Sequence, residues 1–261
     1  MTAPRLRARL AACRAEGRSA LVVYITAGDP DPAQATSVID AVAAAGADVI
    51  ELGVPFSDPS ADGPSIQRAM ERALAAGANL GGALDAVAEL RRRGVATPIV
   101  LFGYYNPLFV MGPDAFAARA AAAGVDAVLT VDLPIDELAE LATPLAAHGV
   151  GVIPLVAPTS TPDRIARLAP FHAPFVYYIS LTGVTGARAA APVPPERLAQ
   201  IRSAANAPVA VGFGIRTPAD AARFAAIADG VVVGTALVDR VAQGAASVAE
   251  LVRGLAAAMK R

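Results

Sequence analysis

One repeating unit restricts the folds open to this chain more than any other feature of its sequence. An Ala-rich amphipathic stretch ends in Gly, a short Val/Ile/Leu run follows, and a Gly/Pro/Asp-rich loop comes next, as in AAAGADVIELGVP (43–55) and AIADGVVVGTAL (226–237). Glycine after a helix is a common C-cap, and a continuous apolar run is typical of a strand buried on both faces. Regular alternation of strand and helix predicts a parallel sheet with right-handed crossovers.

The apolar runs predict eight strands, at 21–27, 48–54, 99–103, 127–131, 151–156, 175–180, 209–212 and 230–233. Helices are predicted between and after them, at 32–45, 65–76, 80–93, 113–123, 135–147, 162–168, 195–204, 218–228 and 236–259. Eight such units in about 250 residues close most naturally into a TIM (β/α)8 barrel, here with an extra N-terminal helix. An open doubly wound sheet usually carries GxGxxG after its first strand, and this chain has GDPDPAQ (28–34) instead. No linker or composition break interrupts residues 1–261, so we expect one domain.

Composition excludes several classes of chemistry. The chain has one cysteine, two histidines and a single lysine, Lys260, beside the C-terminus. These counts exclude an intrachain disulfide, a Cys-rich or three-His zinc site and a Walker A loop, and they argue against a Schiff-base aldolase. A net charge of −1 lacks the basic signal of nucleic-acid binders. Every apolar run is interrupted well before the roughly 20 residues of a membrane span, so we expect a cytoplasmic protein.

Glu51 is a carboxylate inside the second predicted strand. Alternation puts Val49, Glu51 and Gly53 on one face and turns Ile50 and Leu52 toward the helices. A charge inside a barrel is costly unless it is paired or used, and burial raises the pKa of a carboxyl toward the range that suits a general acid/base. We predict a catalytic role for Glu51; a structural, hydrogen-bonded glutamate is the alternative.

Asp62 lies eleven residues further along, in the loop GVPFSDPSADGPSIQ. Active sites of TIM barrels form at the carboxyl ends of the strands, so this loop belongs to the predicted site. Ala-Asp-Gly-Pro is also a turn signal in its own right, and Asp62 alone is ambiguous between the two roles. Glu51, Asp58 and Asp62 together offer the oxygen ligands of a Mg²⁺ site, an alternative that we rank well below a metal-free one.

Glycine loops follow the last three strands, at 183–186, 212–215 and 234–237. Glycine lets backbone N–H groups approach an anion, and many barrels bind phosphate after strands seven and eight. We therefore predict a phosphate site there, held by backbone amides. Aromatic and apolar residues near the strand ends predict a flat apolar ligand portion, with barrel core as the alternative; they are Tyr24, Tyr104, Leu129, Tyr177 and Phe213.

The segment ELGVPFSDPSADGPSIQ (51–67) resembles the signature of the tryptophan synthase alpha subunit family. The resemblance extends along the chain through YITAGDP (24–30), GYYNPL (103–108), VDLP (131–134), YYISLTGVTG (177–186), VGFGI (211–215) and VVVGTAL (231–237). It implies a TIM barrel that reversibly cleaves indole-3-glycerol phosphate to indole and glyceraldehyde 3-phosphate.

The resemblance also implies residue roles. Glu51 would protonate indole C3 and handle the glycerol hydroxyl proton, while Asp62 would hold the indole N–H, oriented by Thr185. Tyr177 matches a tyrosine near the catalytic glutamate, and Tyr24 stands where phenylalanine is common. The implied phosphate positions are Gly186, Gly214, Gly234 and Thr235.

The resemblance further implies a partner. Family members dock on a pyridoxal-phosphate-dependent β subunit, usually as αββα, and pass indole to it, so we expect no cofactor in this chain. The loops at 55–64 and 181–192 are the implied contact and lid elements, although Leu181 replaces a polar or charged residue of some relatives. Alternatives are a stand-alone indole-glycerol-phosphate lyase, a non-catalytic phosphate-binding barrel and another sugar-phosphate isomerase or lyase.

Overall fold

The computed structural model describes residues 1–179, 193–212 and 214–260. Its strands are β1 (Ala20–Thr26), β2 (Val49–Gly53), β3 (Ile99–Gly103), β4 (Ala127–Thr130), β5 (Gly151–Val152), β6 (Leu155–Val156), β7 (Val176–Ile179), β8 (Val209–Gly212) and β9 (Gly230–Val233). They form one parallel sheet in the order β5-β4-β3-β2-β1-β9-β8-β7-β6. The two ends of this order, β5 and β6, are consecutive pieces of chain, so the sheet curls into the predicted TIM barrel.

Helices surround the barrel, and in the described ranges none is long and apolar enough to cross a membrane. They are α1 (Pro4–Ala15), α2 (Pro32–Ala44), α3 (Pro64–Ala75), α4 (Leu80–Arg92), α5 (Tyr105–Met111), α6 (Pro113–Ala123), α7 (Leu138–Ala147), α8 (Pro162–Ala166), α9 (Pro195–Ala205), α10 (Pro218–Ala225), α11 (Thr235–Val241) and α12 (Ala245–Ala258). Seven of these helices begin with the proline that the first helical turn tolerates.

Alternation along the strands separates two hydrophobic layers. Val49 belongs to the cluster that fills the barrel interior. Ile50 and Leu52 belong to the larger cluster between the sheet and the helices. This is the division that alternation predicts for a parallel barrel, and it directs Glu51 inward, between its register neighbours Tyr24 on β1 and Val100 on β3.

The predicted fifth strand is not continuous. Residues up to Ile153 pair with β4, since the Ile153 N–H donates to the Val128 carbonyl at 2.9 Å. Beyond Pro154 the chain pairs with β7 instead, and the Pro154 carbonyl accepts from the Tyr177 N–H at 3.0 Å. Proline has no N–H to donate to a ladder, so it marks the point where the strand changes neighbours. In the described residues the register between β4 and β5 ends at Val128↔Val152.

Two helical segments also differ from prediction. Residues 105–111 form α5, although no periodic apolar pattern in this short segment indicated a helix. The predicted helix at 236–259 is divided into α11 and α12 at Gly244, whose φ of +92° is incompatible with a right-handed helix.

The floor of the barrel is closed by α1, the predicted N-terminal helix. Its Leu6 is fully buried in the interior cluster. Three aspartates, Asp48, Asp126 and Asp229, directly precede β2, β4 and β9. Each carboxylate accepts a hydrogen bond from a backbone N–H at the start of a neighbouring strand. The donors are Leu21, Ile99 and Val209, in the same order. Each aspartate also forms an ion pair with one arginine of α1, in the pairs Arg9–Asp48, Arg5–Asp126 and Arg14–Asp229. The helix is thus fastened to three separate strands.

Candidate active site

Glu51 lies inside the barrel with 1 % of its surface exposed. Its Oε1 has no hydrogen-bond partner in the described part of the chain. Burial raises the pKa of Glu51 to about 8. The carboxyl is therefore mainly protonated at neutral pH, which equips it to donate a proton and then to accept one as the carboxylate.

Asp62 is held at the rim of the barrel, just before α3. Its side chain is 2 % exposed, and its Oδ2 accepts a hydrogen bond from the Tyr104 hydroxyl at 2.8 Å. The same hydroxyl oxygen accepts from the Ala61 N–H at 2.9 Å. Burial raises the pKa of Asp62 to about 6, and the bond from Tyr104 opposes that rise. Asp62 is thus mainly ionised at the pH at which Glu51 is mainly protonated.

The loop that carries Asp62 is fastened by several contacts to its surroundings. The Asp62 N–H donates to the Pro59 carbonyl at 3.1 Å, and the Gln67 side-chain amide donates to the Asp62 carbonyl at 2.9 Å. Phe56 stacks on Tyr104 with ring centroids 5.0 Å apart. Asp62 is therefore part of a turn, and its buried carboxyl also lies at the carboxyl end of the barrel; its catalytic role stays a prediction. Asp58, by contrast, is exposed on the same loop.

Two buried tyrosines flank Glu51 on the barrel interior. Burial raises the pKa of both Tyr24 and Tyr177, and the charge of Glu51 contributes to each rise. Each hydroxyl lies directly over a glycine, because a Cβ added at Gly53 would stand 2.1 Å from the Tyr24 oxygen and one at Gly212 would stand 2.0 Å from the Tyr177 oxygen. The two glycines make room for the two rings beside the carboxyl.

Further apolar side chains line the interior near these tyrosines. Leu129 is fully buried there and is in register with Phe102. Phe102 packs edge-on against Tyr24 with ring centroids 5.3 Å apart. Phe56 and Phe102 were not singled out from the sequence, although alternation along β3, which places Val100 inward, also places Phe102 inward and would have identified it.

The predicted phosphate side is described only in part. Gly214 has a φ of +72° just after β8, a conformation that favours glycine. Gly234 follows β9 directly, and a Cβ there would stand 3.5 Å from Cβ of Tyr24, so this loop adjoins the tyrosine pocket. Thr235 begins α11 and is half-buried. The remaining predicted positions, Thr185, Gly186 and Phe213, lie outside the described residues, as does the lid segment 181–192.

The alternative of a Mg²⁺ site finds no support in these residues. Within 1–179, 193–212 and 214–260, no group of three or more acidic, histidine or cysteine side chains is arranged to hold a metal ion. Burial raises the pKa of both Glu51 and Asp62, and the hydrogen bond from Tyr104 lowers that of Asp62.

Comparison with known sequences gives one consistent result. The family model described as tryptophan synthase alpha chain matches residues 10–261. The tryptophan synthase alpha chain of Nitrosococcus oceani is 51% identical over 240 residues, which cover 92% of this chain and 89% of that protein. The alpha chain of Geobacter sulfurreducens is 53% identical over 235 residues, covering 90% and 89%.

Comparison with solved structures agrees. A tryptophan synthase structure from Mycobacterium tuberculosis superimposes with a TM-score of 0.91 at 40% identity and covers 98% of both chains. The tryptophan synthase alpha chain of Legionella pneumophila superimposes with a TM-score of 0.88 at 37% identity, covering 99% of this chain and 97% of that one.

Proposed function

Because this chain belongs to the tryptophan synthase alpha chain family, we propose that it is a carbon–carbon lyase that splits indole-3-glycerol phosphate into indole and glyceraldehyde 3-phosphate. The observation that carries the proposal is the buried Oε1 of Glu51, which lies within an apolar barrel interior and has no hydrogen-bond partner among the residues that the structure describes. A protonated carboxyl in such a place can donate its proton to a ring carbon, which a solvated carboxylate cannot do at neutral pH.

The two carboxyls divide the reaction between them. Glu51 donates its proton to indole C3, which leaves a positive charge on the ring nitrogen. Asp62, ionised and with Oδ2 already bonded to Tyr104, stabilises that charge through the indole N–H. Two acids whose surroundings set different pKa values suit two such roles.

Cleavage then regenerates the acid. The Glu51 carboxylate removes the proton from the hydroxyl on the carbon attached to indole C3. The bond between that carbon and C3 breaks, its electron pair returns to the ring, and the carbon becomes the aldehyde of glyceraldehyde 3-phosphate. The first proton stays on indole C3 and the second restores protonated Glu51, so the step needs neither a Schiff-base lysine nor an external electron acceptor.

The substrate would lie across the barrel mouth. Tyr24, Tyr177 and Leu129 supply apolar surface for the indole ring, with Phe213 expected beside them. The phosphate would be bound by backbone N–H groups around Gly214, Gly234 and Thr235, together with Gly186. The single lysine, Lys260, is distant in sequence from these loops, which fits binding by backbone amides and a hydroxyl.

A β subunit is the proposed partner. Exposed large side chains stand on α5, at the end of β3 that leads to the site: Phe109 is 60% and Val110 is 77% exposed. Apolar side chains so exposed together are typical of a contact surface. The proposal includes the αββα assembly, pyridoxal phosphate on the partner rather than on this chain, and a cytoplasmic location.

The decisive experiment measures indole release from indole-3-glycerol phosphate by the full chain, with and without a tryptophan synthase β subunit. The alpha-subunit assignment expects slow release from the chain alone and a marked increase on adding the β subunit. Full activity without it would indicate a stand-alone lyase. No release under either condition would indicate a non-catalytic barrel or another substrate.

A further inference from the structure

A cavity of about 820 Å³ lies at the amino-terminal end of the barrel, between α1, α7, the start of β5 and the turn before β7. Its volume is within the range of roughly 300–1,000 Å³ that is usual for small-molecule sites. The loop that carries Asp62 and the predicted phosphate loops follow the carboxyl ends of the strands, at the other end of the barrel. The cavity is therefore separate from the proposed substrate site.

Apolar side chains from three elements form much of the cavity wall. They are Ala142 and Ala146 of α7, Val152 of β5, and Phe171 and Ala173 of the turn before β7. Among the described residues that line the cavity, none is acidic. An occupant would thus meet apolar surface on several sides and no negatively charged side chain.

Arg7 of α1 is the arginine that lines this cavity, and two backbone carbonyls hold its guanidinium in place. Its Nε donates to the Thr2 carbonyl at 2.8 Å, and its Nη2 donates to the His172 carbonyl. A guanidinium has five N–H donors, and Nη1 has no acceptor among the residues that the structure describes. The only described side-chain atoms that are both fully buried and unpartnered belong to other residues, so Nη1 remains accessible to a ligand.

Arg7 also differs from the other arginines of α1 in its charge environment. Arg5, Arg9 and Arg14 each pair with an aspartate, whereas Arg7 has no ion-pair partner in the described part of the chain. Partial burial lowers the pKa of Arg7, and no carboxylate opposes that effect. A half-buried cation without a counterion is costly unless an anion binds to it, so the guanidinium indicates an anionic occupant.

We propose that this cavity binds a small carboxylate ion with an apolar body, at a site that is independent of the proposed function. Arg7 would hold the carboxylate, because a guanidinium matches the geometry of a carboxylate and supplies the one positive charge that balances it. The apolar walls from α7, β5 and the turn before β7 would cover the rest of the molecule.

The proposal is tested with 4-fluorophenylacetate as the probe, followed by fluorine NMR on the full chain. We expect saturable binding. The uncharged analogue 4-fluorophenylacetamide has nearly the same shape and should bind at least tenfold more weakly, because it lacks the charge that Arg7 balances. In methyl-labelled protein, the ring protons of the bound probe should show contacts to the methyl groups of Thr143 and Ala146, which line the cavity from exposed positions on α7.

Arg7→Gln removes the charge and should weaken binding of 4-fluorophenylacetate at least about tenfold, as expected for loss of a charged hydrogen bond. The acetamide should bind Arg7→Gln and the wild type about equally. Arg14→Gln is the matched control, because it removes the same charge from the same helix at a position that does not line the cavity. It should leave the affinity of the probe unchanged.

Ala146→Leu tests the apolar wall without altering Arg7. Leucine is compatible with a helix, and Ala146 is exposed, so the fold should be kept while the larger side chain occupies part of the cavity. The affinity of the probe should fall severalfold. Ala147→Leu makes the same change at the next position of α7, outside the cavity lining, and should leave the affinity unchanged.

Four results would overturn the proposal: no saturable binding, equal affinity for the acetamide, contacts of the bound probe elsewhere, or wild-type affinity in both Arg7→Gln and Ala146→Leu. The contacts in the wild-type chain and the Ala146→Leu variant test the site even if Arg7→Gln does not fold. Indole release from the same samples tests the lyase assignment separately, since the two sites lie at opposite ends of the barrel.

Discussion

The Tyr104 hydroxyl donates to Oδ2 of Asp62 at 2.8 Å, across 42 residues of sequence. This bond joins the end of β3 to the loop after β2, and it opposes the rise in the Asp62 pKa that burial causes. Tyr104 was predicted to be a wall of the substrate pocket, and from this contact we expect it also to position Asp62.

Removing this hydroxyl should alter the pH dependence of turnover. The active form of the enzyme should have Asp62 ionised and Glu51 protonated. The plot of kcat/KM against pH for the wild type should therefore be bell-shaped. Its acid limb should lie near pH 6, the pKa of Asp62, and its alkaline limb near pH 8, the pKa of Glu51. Tyr104→Phe removes the bond that lowers the Asp62 pKa, so the acid limb should move to higher pH. We expect about a tenfold loss at pH 6, the scale of one charged hydrogen bond, and a smaller loss near neutrality.

Tyr105→Phe is the matched control for this prediction. The Tyr105 hydroxyl donates to Oε2 of Glu140 at 3.4 Å, on the outside of the barrel. The dependence of kcat/KM on pH in Tyr105→Phe should coincide with that of the wild type. If the acid limb does not move in Tyr104→Phe, Tyr104 does not position Asp62.

Glu51→Gln should abolish cleavage and leave the fold intact. The amide keeps the shape of the side chain but carries no transferable acid proton, and general acid–base groups typically contribute about 10²–10⁴-fold to rate. Indole release measures the loss. Asp58→Asn, on the exposed loop nearby, should retain activity. A Glu51→Gln enzyme within a few-fold of the wild-type rate would exclude Glu51 as the proton donor.

The same substitution should change how stability depends on pH. The pKa of Glu51 is about 8 in the folded chain against an ordinary value of 4.5, so between these values the folded state binds more protons than the unfolded state. The free energy of unfolding of the wild type should therefore fall as pH rises through this range, by on the order of 1 kcal/mol per unit. Urea titrations at pH 5.5, 6.5 and 7.5 measure the free energy of unfolding of the wild type and of Glu51→Gln. The free energy should change less with pH in Glu51→Gln. Equal slopes in the two proteins would show that Glu51 is not desolvated.

Gly212→Ala should disrupt the pocket. Its Cβ would stand 2.0 Å from the Tyr177 oxygen, so the ring must leave its place beside Glu51. Overpacking of this kind costs about 1–3 kcal/mol, and turnover should fall with it. A Cβ added at Gly82 in α4 would stand 3.9 Å from Oδ1 of Asn79, an ordinary van der Waals distance, so Gly82→Ala should be neutral or stabilising in thermal unfolding. Unchanged activity in Gly212→Ala would contradict the need for the Tyr177 ring beside Glu51.

Asp48→Asn tests the floor of the barrel. Asp48 is 1% exposed and accepts hydrogen bonds from Arg18, through two nitrogens, and from the Leu21 N–H. Loss of the Asp48 charge should lower the free energy of unfolding by about 2–3 kcal/mol. We expect a smaller effect than for a fully buried ion pair because Arg18 is partly exposed. Asp85→Asn, which breaks the exposed pair with Arg119, should cost less than about 1 kcal/mol. If Asp48→Asn and Asp85→Asn lose similar amounts of unfolding free energy, the contacts of Asp48 at the floor of the barrel do not stabilise the fold as proposed.

The sequence by itself determined the barrel and the inward direction of Glu51, because both follow from local periods. Alternation of period two along β2 separates Glu51 from Ile50, and recurring apolar runs with glycine-ended helices define the units that close the ring. The motif at 51–67 also identified the family. These patterns depend only on residues close together in the chain.

Only the tertiary structure decided which distant side chains meet. The closing barrel brings separate strands together, and this produces three contacts: the bond between Tyr104 and Asp62, the fit of Tyr177 over Gly212, and the change of neighbour from β4 to β7 at Pro154. No local period encodes such contacts, because each depends on register and on the space that neighbouring strands leave to one another.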